Sequence, residues 1–310
     1  MLRKYRLDGG KIAECADGVC GEVNVYVAPD EAEKRYLVDT LKLDEHTLNS
    51  ALDPDELARL EFEPEHVALI YKRPRNYTAE EPYQFRVAST GLFLFKDKLV
   101  VVIADDVPLF DGKQLSKASS LVDVLLRLIY RSIFQYLEHL RTITMVTDSL
   151  EHKISSSMEN KYLLSLFTLE KSLVYYLNAI NSNSALIEKL KYNAAKIGFN
   201  QDELEFIDDI TIENTQCYKQ AEIYSNILAG LMDARASIVN NNLNVLMKTL
   251  NIITIGIMVP TFVVSAFSMN VPFPFQHNPH AFYGIMGLAA VSVLTFMLVW
   301  RHSNRSRGDL

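Results

Sequence analysis

The chain has 310 residues, of which 49% are hydrophobic and 22% charged, so its average composition is close to that of a soluble protein. Its net charge of −7 argues against a nucleic-acid-binding protein, because such a protein needs a basic surface for phosphates. Its three cysteines provide no disulfide framework and fit a reducing cytoplasm. The first residues carry positive charges with no apolar stretch behind them, so we expect no secretory signal peptide.

Residues 1–118 predict a mixed α/β domain. Segments 22–27, 66–71, 84–95 and 98–104 carry strand-like apolar patterns, and the last has the continuous Val/Ile run that is typical of a central strand. The sequence from Pro29 to Glu31 predicts the start of a helix that runs through Leu41. Asp44 is a candidate cap for the next helix.

Residues 119–200 predict a second, helical region. The run Asn181-Ser182-Asn183-Ser184 predicts a cap or turn between helices, and Gly198 predicts a break. A last helical pattern begins near Asp202 and meets no proline before Pro260. We therefore expect a stalk helix over 201–248 that continues into the apolar end of the chain.

The apolar end is a tract from Thr249 to Trp300 that contains no Lys, Arg, Asp or Glu. A helix needs roughly 20 apolar residues to cross a bilayer, so the tract is long enough for two crossings. Pro272, Pro274 and Pro279 interrupt it. We predict transmembrane helices at 249–268 and 281–300, joined by an extracytoplasmic loop at 269–280. A buried hairpin of a soluble protein is the alternative, but such a hairpin normally keeps a charged face.

Basic residues flank the two predicted spans on one side only. Lys248 precedes the first span, while Arg301, Arg305 and Arg307 lie in the basic tail 301–310, and the loop has no Lys or Arg. The positive-inside rule then places both termini in the cytoplasm. The sequence predicts a multi-pass protein of the inner or plasma membrane.

Polar and small side chains recur on the long helical pattern at alternating gaps of four and three residues, which places them on one face of a gently supercoiled helix. Within hydrocarbon, polar groups must face partner helices or water. The stripe therefore predicts either a tight helix-packing seam or, because two spans cannot enclose a channel, a pore formed by several copies around an axis. This polar stripe comprises Asn226, Gly230, Asp233, Ser237, Asn240, Asn244, Met247, Asn251, Thr254, Met258, Thr261 and Ser265.

The chemistry of the polar stripe favours cations. Asp233 is its one charge, and symmetry would turn it into a ring of carboxylates. The amides of Asn244, Asn251 and Asn270 offer carbonyl oxygens to a hydrated ion, and Mg²⁺ keeps its waters because it dehydrates reluctantly. A narrow ring of Met or Leu can instead gate a pore by excluding water.

The sequence at Ser268-Met269-Asn270 resembles the Gly-Met-Asn motif of the CorA family of magnesium and divalent metal ion transporters. The preceding sequence is also similar, in the segments 244–250 and 258–262 and at Gly230-Leu231-Met232-Asp233. The resemblance covers about residues 205–303. Here Ser268 replaces the motif glycine, and the loop that follows carries no acidic residue, so the transported divalent cation stays open among Mg²⁺, Zn²⁺, Co²⁺ and Ni²⁺.

The resemblance implies an α+β membrane protein that forms a homopentamer, with a cytoplasmic α/β domain, long stalk helices and two C-terminal transmembrane helices. It implies that Ser268, Met269 and Asn270 form the selectivity filter, and that Asp209 forms part of a subunit-interface metal sensor. Asp105 and Asp106 are candidate partners for Asp209, and Asp233 is a further candidate metal ligand. The expected pore-lining residues, with Asn251 and Thr254 taken from the polar stripe, are Asn244, Met247, Leu250, Asn251, Thr254, Met258, Thr261 and Ser265.

Two other functions fit the same sequence. One is a proton-coupled Zn²⁺ transporter on the same scaffold, and the other is a membrane-anchored ion sensor that conducts nothing. We expect no enzyme, because the sequence has no phosphate-binding glycine loop, no His-Glu-x-x-His and no nucleophile elbow. We expect no cofactor, with the divalent cation as substrate and possible regulator. The expected partners are further copies of the chain and the lipid bilayer.

Overall fold

The structure is a computed structural model that describes residues 1–15, 21–75, 83–111, 115, 118–156, 160–269 and 279–305. The chain divides into two compact units, Met1–Met232 and Asp233–Leu310. The boundary between them falls within one long helix.

Seven strands form one sheet in the described part of the first unit, in the order β2-β1-β3-β7-β6-β5-β4. The central pair, β3 and β7, is parallel, and the other neighbouring pairs are antiparallel. The four predicted strands correspond to β3, β5, β6 and β7, whereas β1, β2 and β4 were missed. The strands are β1 Leu2–Asp8, β2 Lys11–Glu14, β3 Val23–Val27, β4 Arg59–Phe62, β5 Val67–Pro74, β6 Val87–Leu94 and β7 Leu99–Ile103.

Helices cover both faces of this sheet because side chains alternate between the faces along each strand. On β7, Val100 and Val102 pack with Leu37 and Leu48 on one face. The intervening Val101 belongs to the large core on the other face, which α3, α4 and α6 complete. The helical segments are α1 Glu31–Arg35, a π-helical turn Tyr36–Thr40, α2 Glu45–Leu52, α3 Leu121–Ser156, α4 Asn160–Tyr192, α5 Ala194–Ile197, α6 Gln201–Phe267 and α7 Ala281–Arg305.

The predicted helix starts near Asp30 and Asp44 are confirmed by cap geometry. Asp30 and Glu33 form a capping box at α1. Asp44 accepts hydrogen bonds from the backbone N and the hydroxyl of Thr47, at 2.8 and 3.0 Å. These bonds stabilise the charged carboxylate and lower the pKa of Asp44.

The predicted turn at Asn181-Ser182-Asn183-Ser184 is wrong, because these residues lie inside α4. The side chains of Ser182, Asn183 and Ser184 do not cap a helix but bond to neighbouring elements. The hydroxyl of Ser182 accepts a bond from the Ala58 backbone N, and Asn183 exchanges two bonds with the backbone of Lys72, at 2.8 and 2.7 Å. The predicted break at Gly198 is confirmed, since Gly198 ends α5 in the left-handed conformation, with φ of 93°.

The second unit contains the carboxyl-terminal part of α6 and the whole of α7. Both helices are long and apolar enough to cross a membrane. Most of their large apolar side chains are exposed in the single chain, including Phe262 at 75% and Tyr283 at 73%. Pro260 lies within α6, where it cannot donate to the carbonyl of residue 256.

Candidate functional site

The polar stripe lies on one continuous helix, α6, and every member of it is exposed in the single chain. Leu250, which the family resemblance adds to the pore-lining set, is also exposed, at 59%. The structure therefore leaves this row of amide, hydroxyl and thioether side chains accessible to other copies of the chain or to water.

The less exposed residues of the apolar part of α6 lie on a different face. A Cβ added at Gly256 would lie 3.7 Å from the ring of Phe296, so α6 and α7 approach each other closely there. With about 3.6 residues per turn, this face lies roughly opposite the polar stripe. The contact between α6 and α7 therefore does not bury the stripe. The partly buried residues of this face are Ile252, Gly256, Val259, Pro260, Val263 and Phe267.

Hydroxyl groups along this part of α6 donate to their own helix. Thr254 Oγ1 donates to the Leu250 carbonyl at 2.9 Å, and Thr261 Oγ1 donates to the Ile257 carbonyl at 2.7 Å. Ser268 Oγ makes the same bond, at 3.0 Å, to the carbonyl four residues earlier. Each hydroxyl proton is donated to a carbonyl of the helix. The hydroxyl oxygens can therefore interact with a ligand only as acceptors, through their lone pairs.

The Ser268-Met269-Asn270 motif follows directly after the end of α6. The backbone N of Ser268 donates to the Ser265 carbonyl at 3.0 Å, which closes the last turn. The Met269 side chain is 62% exposed. Asn270, the predicted outer ring of the selectivity filter, lies outside the described residues.

The predicted metal ligands on α6 are both exposed carboxylates. Asp233 lies on the polar stripe, and Asp209 lies two turns after the start of α6. Burial raises the pKa of Tyr130 on α3, and the nearby carboxylates of Glu213 and Asp209 raise it further. Asp209 therefore lies near α3. The adjacent Asp208 is instead paired with Lys191 at 2.7 Å.

The candidate partners Asp105 and Asp106 are both engaged by arginines. Asp105 lies 3.0 Å from Arg75 and 3.8 Å from the buried guanidinium of Arg73. Asp106 lies 2.7 Å from Arg3, and this hydrogen bond raises the pKa of Arg3. A cation at either carboxylate would have to compete with these pairs, which disfavours both residues as metal ligands.

Among the described residues, no three His, Cys, Asp or Glu side chains come together in a way that could hold a metal ion. Sequence reasoning did not identify the Gly256–Phe296 approach, although a small residue within an apolar helix is a known signal for close helix packing.

A family model and a curated relative both match most of this chain. The family model described as "CorA-like Mg2+ transporter protein" matches residues 25–302. A curated relative, the cobalt/magnesium transport protein CorA of Methanocaldococcus jannaschii, is 22% identical over 290 residues, which cover 89% of this chain and 88% of the relative.

Solved structures show the same fold. The complete structure of the CorA magnesium transporter from Methanocaldococcus jannaschii matches with a TM-score of 0.80 and 19% identity, and 97% of each chain is covered. The full-length CmaX protein matches with a TM-score of 0.71 and 15% identity, covering 94% of this chain and 96% of that one. These matches confirm the predicted fold class, a soluble α/β domain with a long helix and two C-terminal apolar helices.

Proposed function

This chain belongs to the CorA family of divalent cation transporters, and we propose that it works as a homopentameric channel with Mg²⁺ as its main substrate. In this proposal the polar stripe of each copy faces a common axis. The first apolar segment, on α6, lines the pore, and α7 faces lipid.

The observation that carries the proposal is the exposure of the polar stripe on the face of α6 opposite the α7 contact. A polar seam that mediated packing within one chain would be covered by α7, but here apolar residues and Gly256 fill that role. Further copies of the chain can therefore meet around the stripe, as closed symmetry of identical subunits allows. The exposed apolar side chains on the rest of the helix pair fit a lipid surface.

The proposed orientation puts both termini in the cytoplasm. Lys248 precedes the apolar segment of α6, and Arg301 follows that of α7, so the cationic flanks lie on one side of the membrane. The filter residues Ser268, Met269 and Asn270 then lie at the outer end of the pore. The membrane potential would drive uptake with about 4.6 kcal/mol per 100 mV for a divalent ion, twice the roughly 2.3 kcal/mol for one charge.

The stripe can conduct a hydrated cation because its groups accept hydrogen bonds from ion-bound water. Waters around Mg²⁺ point their protons outward, and the hydroxyl oxygens of Thr254 and Thr261 have lone pairs left to receive them. The amides of Asn244 and Asn251 offer carbonyl oxygens in the same way. Rings of Met247, Leu250 and Met258 would narrow the pore and gate it by excluding water.

We also propose that Asp209 senses cytoplasmic cations. Its carboxylate is exposed, and among the described residues it belongs to no group of three His, Cys, Asp or Glu side chains. In this proposal a neighbouring copy supplies further ligands, as in a sensor between subunits. Asp233, exposed on the polar stripe, would form a carboxylate ring that attracts cations to the cytoplasmic part of the pathway.

The test is ion flux through the full-length protein in liposomes with an imposed potential, measured for Mg²⁺, Co²⁺, Ni²⁺ and Zn²⁺ in turn. We expect voltage-driven Mg²⁺ flux, and a loss of at least about ten-fold in Asn270→Ala, because the filter would lose its amide ring. Unchanged flux in this variant would count against the proposed filter.

A matched pair of asparagines tests whether the stripe faces the pore. Asn244 lies on the polar stripe, while Asn242 lies roughly on the opposite side of α6 and is partly buried. We expect Asn244→Ala to alter Mg²⁺ flux and Asn242→Ala to leave it unchanged. Zn²⁺ flux that follows a pH gradient would favour the proton-coupled alternative, and ion binding without any flux would favour the sensor.

A further inference from the structure

A cleft of about 500 Å³ lies on the first unit, between α4, the start of β6 and the turn that follows α2. None of the candidate ion-pathway residues lines it. Its volume is within the range of about 300–1,000 Å³ that is usual for small-molecule sites. The cleft is therefore separate from the proposed ion pathway.

One wall of the cleft is aromatic. Phe167 and Tyr175 lie eight residues apart on α4, on the same face, and their side chains are 56% and 45% exposed. Lys171 lies between them, with its ammonium nitrogen 5.8 Å from the centroid of the Tyr175 ring. Large aromatic side chains that line a cleft and remain exposed are suited to stacking against a flat ligand ring.

This wall is fixed to the sheet by a buried hydroxyl. Ser172, 4% exposed, donates to the Thr168 carbonyl at 2.8 Å and accepts the backbone N–H of Phe85 at 3.1 Å. The bond to Phe85 joins α4 to the segment that leads into β6, so the two sides of the cleft keep their spacing. A preformed site of this kind loses little entropy when a ligand binds.

The other walls are polar and charged. The guanidinium Nε of Arg86 donates to Gln84 Oε1 at 2.9 Å, which holds its planar group in position. Across the cleft, the backbone N of Asp55 donates to the Asp53 carboxylate at 2.9 Å, which fixes the turn that carries the Asp55 side chain. The cleft thus combines two cations, Arg86 and Lys171, with one carboxylate, in a chain of net charge −7.

We propose that this cleft binds a nucleotide. The base would stack on the rings of Phe167 and Tyr175, and the phosphates would pair with Arg86 and Lys171, because both cations suit phosphate oxygens. The Asp55 carboxylate would accept hydrogen bonds from sugar hydroxyls, and the amide NH2 of Gln84, whose oxygen already accepts from Arg86, would donate to them. An apolar ligand would make no use of the cationic wall, and an inorganic anion would make no use of the aromatic wall.

Binding is tested by equilibrium dialysis of the detergent-purified full-length protein with ATP, with adenosine and with inorganic tripolyphosphate. The buffer contains EDTA, so that cation binding elsewhere does not contribute. We expect ATP to bind more tightly than either fragment, because only ATP uses both the aromatic and the cationic walls. The measurement involves no ion flux, so its outcome and that of the channel proposal are separate.

Variants of exposed side chains locate the binding. The double variant Arg86→Gln and Lys171→Gln should weaken ATP binding at least about ten-fold and leave adenosine binding unchanged, since hydrogen bonds to charged groups are the strong ones. The double variant Phe167→Ala and Tyr175→Ala should weaken both ligands. Lys189→Gln, also exposed on α4 but outside the cleft, is the control and should bind ATP like the parent protein.

Three results would overturn the proposal. The first is ATP binding that does not saturate below about 1 mM. The second is tripolyphosphate binding as tight as that of ATP, which would show a simple anion site. The third is an equal loss of binding in Lys189→Gln and in the Arg86 and Lys171 double variant. Unchanged thermal unfolding temperatures of all variants would show that each remains folded.

Discussion

Polar side chains have different environments in the two units of this chain. In the first unit, several buried polar side chains are paired across elements, as when Asn183 exchanges two hydrogen bonds with the backbone of Lys72. The members of the stripe that lie in the second unit are exposed, and the hydroxyls of Ser237, Thr254 and Thr261 bond within their own helix. These buried polar groups stabilise the fold of the first unit, whereas no hydrogen bond among the described residues joins the stripe to another element.

Apolar side chains show the reverse contrast. In the first unit they fill the two faces of the sheet, while in the second unit large ones such as Phe262 and Tyr283 are exposed. One physical requirement, that polar groups have partners and apolar groups avoid water, explains both arrangements if the second unit is surrounded by lipid and by other copies. Replacing a polar residue should therefore affect transport in the second unit and stability in the first.

The largest expected effect is on ion flux, from removal of one hydroxyl of the polar stripe. Thr254→Val keeps the shape of the side chain but replaces an acceptor oxygen with a methyl group in every copy. We expect Mg²⁺ flux in liposomes to fall about ten-fold, because an apolar ring disfavours water in a narrow pore. The fold should be unaffected, since the hydroxyl bonds only to its own helix.

Thr295 on α7 is the matched control for Thr254. It is also an exposed threonine, and its hydroxyl donates to the Val291 carbonyl at 2.9 Å, so Thr295→Val makes the same chemical change on the other helix. We expect this variant to conduct normally. Equal loss of flux in the two variants would contradict the assignment of α6 to the pore and α7 to lipid.

In the first unit, the expected effect of a comparable change is on stability. Asn183→Leu removes the partner of a buried backbone N–H and a buried carbonyl on β5, which should cost about 2–4 kcal/mol. For a unit of this size, thermal unfolding should shift down by about 5–10 °C. Asn178→Leu, at an exposed position of the same helix, should shift it little. A similar shift in both variants would indicate a general intolerance of α4 rather than the loss of these bonds.

The sequence predicted the parts of the fold whose residues follow a single pattern. The continuous apolar run of β7 predicted a central strand, and all five of its residues are buried. The run at Asn181-Ser182-Asn183-Ser184 was misjudged because its residues favour turns locally, while their partners lie far away in the sequence. Strands β1 and β2 were missed because charged residues break their apolar pattern, although Gly9 and Gly10, with φ of 55° and 85°, mark the turn between them.

The candidate site could be predicted only in part. A heptad spacing places side chains on one helix face, so the polar stripe was visible in the sequence. The cleft beside Tyr175 was not, because it combines residues from three segments, around positions 55, 86 and 171, that no local pattern connects. The number of copies in the proposed assembly depends on contacts between chains, which the sequence of one chain does not encode in any short pattern.

After Asn183→Leu, the next largest expected effect is a pH dependence of stability that arises from His139 in the core of the first unit. Its Nδ1 lies 2.6 Å from Tyr176 Oη, and burial lowers the pKa of His139 from 6.5 to about 4. The unfolded chain therefore takes up a proton between pH 6.5 and 4 that the folded chain does not, so stability is full above pH 6.5 and falls as the pH drops. At pH 5 the loss from this residue should be about 2 kcal/mol.

His139→Asn isolates this contribution, because its amide oxygen can accept the tyrosine hydroxyl but does not titrate. Unfolding is measured at pH 7 and pH 5 for both proteins. We expect the parent protein to lose more stability over this interval than the variant. His66 should titrate in the same direction in both, since burial also lowers its pKa, and it therefore cancels in the difference. Identical pH dependence would show that His139 is protonated without cost.

The smallest effect concerns an exposed charged pair of the first unit, Lys191 and Asp208, which are 2.7 Å apart and each about half exposed. Asp208→Asn should change the free energy of unfolding by less than about 1 kcal/mol, because solvent screens such pairs. Thermal unfolding of Asp208→Asn and Asn183→Leu, measured under the same conditions, compares the two effects on stability. A shift as large as that of Asn183→Leu would mean that exposed polar groups also hold this unit together. Exposure of a polar side chain would then not distinguish a residue that functions in transport from one that stabilises the fold. The exposure of the stripe would therefore no longer support a pore.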